Sequence, residues 1–111
     1  MGLLSFLADL RLARLADELT QRLARQTYGL LREACQTHIQ NMTHAEARGY
    51  VWAKARPIVM AEAVAAAIEH PALDQTRLAS LGERARQRVV RAVLSDLMRD
   101  RVRHVNRRRA A

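Results

Sequence analysis

Cysteine is almost missing from this chain of 111 residues, with Cys35 standing alone. A lone thiol excludes an internal disulfide framework and supplies no Cys-Cys pair for zinc, so a reducing compartment, the cytoplasm by default, is the expected setting. Four glycines and two prolines are too little turn chemistry for the reversals of a sheet, and β-branched residues nowhere alternate over the length of a strand. Long apolar runs are missing as well. The richest, Val59 to Ile68, contains Glu62 and falls short of the ~20 residues a membrane span requires. The first nine residues have no basic segment and meet an acid at Asp9, so they do not read as a secretory signal, and Phe6 stands where myristoylation requires Ser or Thr.

What is present is a helical pattern. Half the residues are apolar and 27% are charged, a balance that supports a packed core. Leu12, Leu15, Leu19, Leu23 and Leu30 recur at helical steps and predict a first helix over about 3–40, with Thr27-Tyr28-Gly29 the natural place for a kink or break. Thr43-His44-Ala45-Glu46 has the spacing of a capping box and predicts a second helix from His44 to about Glu69, kinked or divided at Pro57 and stopped at His70-Pro71. Ala45, Gly49 and Ala53 form a small-residue ridge within it, on which a neighbouring helix could approach closely. A third helix starts at Asp74, or restarts at Leu81 after a second box-like spacing at Ser80, and runs to about Val105. Its apolar face, Leu78, Ala85, Val89, Val93 and Leu97, is widened by Val90, Leu94, Met98 and Val105. The expected fold is therefore all-α: a bundle of three long antiparallel helices forming one domain over 1–105, with 106–111 a frayed basic tail. More apolar face is available than one thin bundle needs, so completion by a second copy or another helical protein is expected.

The net charge of +8 is local. Up to Thr76 the chain carries eight basic and eight acidic residues; from Arg77 onward it carries eleven and three. On a helix Arg77, Arg84, Arg88, Arg91 and Arg99 fall within an arc of about 80°, and Arg103, Arg107, Arg108 and Arg109 continue the stripe. Such a stripe is either a phosphate-contacting surface or a solvated face whose last arginines complement the helix dipole. The choice of arginine over lysine carries no weight, because eighteen Arg to one Lys, with twenty Ala and two Asn, matches the codon bias of a GC-rich genome. Arg48, Trp52 and Arg56 align at four-residue steps, as a single-strand nucleic-acid surface would, but Tyr50 lies about 200° away, so the two rings cannot form one platform. The ordinary alternative is that one ring is core and the other is covered by arginine stems.

No other chemistry is legible. Cys35 and His38 are one helical turn apart, with His44 nearby in sequence, but lack the further pair a zinc site needs, and a small buried thiol accounts for Cys35. The Glu-x-x-His pattern of di-iron bundles is absent after Glu33, Glu46, Glu62 and Glu69. There is no glycine-rich phosphate loop, nucleophile elbow, zinc-finger spacing, RNP-like motif or compact helix-turn-helix. Glu62, set among apolar residues, is the one acid with a buried-looking context. The expectation is a non-catalytic, self-associating helical interaction or scaffold module with no metal and no cofactor. The alternative is a sequence-tolerant nucleic-acid-binding protein that uses the arginine stripe.

Overall fold

Thr43 starts a helix in the way its spacing predicts. In the computed structural model, which describes residues 2–110, the Glu46 amide donates to Thr43 Oγ1 at 3.2 Å and the Thr43 amide donates to Glu46 Oε1 at 3.1 Å. Three helices follow in order, α1 (Gly2–Cys35), α2 (His44–Glu69) and α3 (Gln75–Ala110), with no strand among the described residues. The backbone amide bond from Thr43 holds the Glu46 carboxyl below the usual glutamate range. A depressed folded-state pKa adds stability at neutral pH that is lost as pH falls through that lowered value. Thr43→Ala removes the cap and is expected to cost about 1 kcal/mol in urea unfolding at neutral pH. The gap to the wild type should narrow once Glu46 is protonated, and an unchanged midpoint would show that packing alone sets this helix start.

The short connections make α2 antiparallel to both neighbours, and α1 and α3 run parallel. Asp17–Arg84, Tyr28–Asp96 and Arg32–Asp100 bridge them at a constant sequence offset of 67 or 68. That offset sets the start of α3 level with Leu7 and Ala8 of α1, and the end of α1 level with Val102 and Arg103 of α3. The helices are therefore staggered: α1 overhangs one end and α3 the other, giving a rod 68 × 23 × 21 Å from helices no longer than about 54 Å.

Four-residue steps build the core: Leu19, Leu23, Thr27, Leu31 and Cys35 on α1; Ala47, Val51, Ala55, Val59 and Ala63 on α2; Leu81, Ala85, Val89, Val93 and Leu97 on α3. The two buried threonines satisfy their own hydroxyls, Thr20 donating to Ala16 O at 2.7 Å and Thr27 to Leu23 O at 2.6 Å.

Several local expectations are corrected. Leu30 is 53% exposed and Leu31 is the buried residue, because the stripe passes through polar Thr27. Helix α1 ends at Cys35, earlier than Gln40, and continues unbroken through Gly29, where packing on either side outweighs the ~1 kcal/mol that glycine costs. Helix α2 is not divided at Pro57, whose ring is exposed, and runs as one helix through it. The ridge of Ala45, Gly49 and Ala53 faces outward. The packed row lies two residues along, about 200° round the helix. Asp74 alone caps α3, accepting the Arg77 amide at 2.7 Å, and Ser80 lies inside the helix. Residues 106–110, expected to fray, are helical, and Ala111 lies outside the described residues.

Candidate functional surfaces

The arginine stripe divides once its partners are known. Arg77 closes on Asp74 at 3.1 Å, Arg84 on Asp17 at 2.6 Å and Arg99 on Asp96 at 3.5 Å. Arg88, Arg91, Arg103, Arg107, Arg108 and Arg109 are exposed and make no ion pair among the described residues. The lower stripe is thus partly a clamp between α1 and α3, and four of the six unpaired arginines lie on the overhanging end of α3. A network sits between these regions. The Tyr28 hydroxyl donates to Asp96, Arg32 donates to Tyr28 at 3.1 Å, and the same guanidinium reaches Asp100 at 2.6 Å. Exposed pairs are individually worth little, but here one tyrosine ties two of them across the interface between α1 and α3.

Arg48, Trp52 and Arg56 do not form an exposed aromatic-basic stripe. Trp52 is half-buried and covered by Arg86, whose guanidinium carbon lies 3.8 Å from the ring centroid. Arg48 turns instead to the His44 ring at 3.3 Å. Tyr50 lies on another face, stacked on His38 with centroids 5.6 Å apart and Lys54 Nζ 5.5 Å from its ring. Arg86, which the sequence reading did not single out, is the buried arginine of the molecule's described part. Its Nε and Nη2 donate to the Trp52 carbonyl at 3.1 and 2.8 Å. Its signal was available, since it sits among Gly82, Ala85, Val89 and Val90 on the apolar face of α3.

Cys35 is buried, and desolvation raises its thiol pKa, with Lys54 pulling the other way, so it is a packing residue and a poor nucleophile. No cluster of three or more His, Cys, Asp or Glu side chains among the described residues could hold a metal ion. Glu62 is half-buried.

Two end surfaces remain. At the first, the overhang of α1 and the turn that follows it expose Leu3 (73%), Leu4 (83%), Phe6 (59%), Leu7 (41%) and Leu10 (40%). These five fall within about 160° of helix arc. Leu3 and Leu7 also continue the four-residue row of Leu15, Leu19 and Leu23 past the level where α2 and α3 stop. The stub is thus a bundle-facing stripe without a bundle. On α2, Val64 and Ile68 are exposed as well. At the opposite end, the end of α1, the turns over 36–43 and the overhang of α3 enclose an open groove of about 580 Å³. No helix of the described residues is long and apolar enough to cross a membrane. No family model, curated protein or solved structure matches the chain.

Proposed function

We propose that the chain is a non-catalytic helical interaction module that self-associates through the apolar stub at the start of α1. The carrying observation is the exposure of Leu3, Leu4, Phe6, Leu7 and Leu10 on one face at and just beyond the end of the bundle. Together they present on the order of 600 Å² of apolar surface, at the upper end of what monomers leave in water. Asp9 lies close to Arg11 and Arg14 on the same stub, which lets an antiparallel copy meet each charge with its opposite. The lone buried thiol suits a reducing compartment.

Sedimentation equilibrium from low to high micromolar concentration tests the reading. The wild type is expected to be a dimer, and Leu3→Glu with Leu7→Glu a monomer of unchanged helical content, since neither residue contacts the core. A wild type that stays monomeric throughout, or a double variant that still dimerises, removes this interface.

A further inference from the structure

The groove at the far end of the rod is lined by an apolar floor of Ile39, Leu97 and Val105, by the guanidinium groups of Arg101 and Arg108, and by the His104 ring. Acid is scarce there. Asp100, the acidic residue on the groove wall, is already engaged by Arg32 at 2.6 Å. Arg101 is half-buried, and its one hydrogen bond goes to a backbone carbonyl, Met42 O, at 2.8 Å. A guanidinium held this way keeps its full charge and further N–H donors, and no carboxylate neutralises it. Arg108 makes no ion pair among the described residues. Beyond Asp100 the described chain contains no acid and five arginines, Arg101, Arg103, Arg107, Arg108 and Arg109. The stagger of the bundle carries Arg107, Arg108 and Arg109 past the level where α1 ends, with Arg103 at that level.

We propose that this end of the molecule is a phosphate-backbone site for nucleic acid, in which one phosphate lies in the groove against Arg101, His104 and Arg108 and its neighbours are met by Arg103, Arg107 and Arg109 on the protruding helix. The position follows from the groove together with the charge: Arg77, Arg84 and Arg99 are answered by Asp74, Asp17 and Asp96, Arg88 and Arg91 are unpaired but line no part of this groove, and beyond Asp100 no acid follows among the described residues. Contacts to the phosphate backbone carry no sequence information, so binding through these arginines is sequence-tolerant. Phosphates rather than carboxylates are favoured because guanidinium groups gathered round one helix end can meet more than one charge of a polymer, and release of condensed counterions drives that contact.

Fluorescence anisotropy with labelled single-stranded and duplex oligonucleotides of mixed sequence provides the test. If about four phosphates are contacted, affinity falls roughly a hundredfold between about 50 and about 200 mM salt. Arg101→Ala with Arg108→Ala is expected to weaken binding at least tenfold, whereas Arg88→Ala with Arg91→Ala, lower on the same helix, leaves it within about twofold. Because Arg101 touches the turn before α2, the Arg103→Ala, Arg107→Ala, Arg109→Ala variant, whose side chains touch no other element, gives a second arm with the same expected loss. Absence of binding at low salt overturns the proposal, as does equal loss in the lower-helix variant. Binding to phosphatidylserine vesicles but not to oligonucleotide would also overturn it. The stub at the other end is intact in every variant, so the oligomeric state reads out separately.

Discussion

Leu31→Ala is expected to lower the unfolding free energy by about 3 kcal/mol, within the 2–5 kcal/mol range of buried leucine truncations, while Leu30→Ala stays within about 0.5 kcal/mol. The two residues are adjacent and chemically identical, so intrinsic helix propensity and loss of a leucine from the unfolded chain cancel in the comparison. What differs is 100° of rotation, which takes Leu31 to complete burial and leaves Leu30 more than half exposed. A domain of this size has a total stability of only about 5–15 kcal/mol, so the loss at Leu31 should be plain in the urea midpoint at unchanged slope. Equal effects at the two positions would mean that α1 is rotated from the orientation described.

That pair also marks where sequence reading stops. Leu12, Leu15, Leu19 and Leu23 lie on the face that packs, and the capping box at Thr43 and the stop at His70-Pro71 bound α2 as their spacing implies. These signals are local: a side-chain period or a cap depends on residues within one or two turns. The stripe was lost where a threonine entered it, because a buried Thr27 satisfied by Leu23 O has the same composition as a solvent-facing one. The small-residue row was placed on the wrong face of α2 for a related reason. In an alanine-rich helix, Ala45, Gly49, Ala53 and Ala47, Val51, Ala55 are both plausible ridges, and only the neighbouring helices choose between them.

The charge was legible in amount and in region but not in pairing. Whether Arg84 meets Asp17, or Arg32 meets Asp100, depends on the offset of 67 or 68 residues between parallel helices. Packing of the whole bundle sets that offset, and no short-range spacing encodes it. The same offset creates both overhangs, so the apolar stub and the cationic end were each visible as composition and invisible as surfaces. One mechanical fact, the stagger, thus accounts for both proposed contacts lying at opposite ends of a 68 Å rod.

Arg86→Ala is expected to be the most disruptive change at a charged position, costing about 3 kcal/mol. The guanidinium gives two hydrogen bonds to the Trp52 carbonyl at 2.8 and 3.1 Å and lies across the indole. Bonds from a charged donor contribute about 1.5–3 kcal/mol, and the cation–π contact adds about 0.5–2 kcal/mol when desolvated. The Glu83 contact at 3.5 Å is peripheral, with a half-exposed carboxylate, and adds little. Arg86→Met separates the contributions: it keeps an unbranched apolar stem over the ring and loses the hydrogen bonds, so its cost should fall between those of wild type and alanine. Trp52 is the one tryptophan of the chain, and its emission therefore reports on this contact directly. Native Arg86→Ala should emit at longer wavelength than wild type as water reaches the indole, with Arg86→Met shifted less. A stable Arg86→Ala with unaltered emission would show that Trp52 is held by the helix packing alone and that Arg86 belongs with the surface charge.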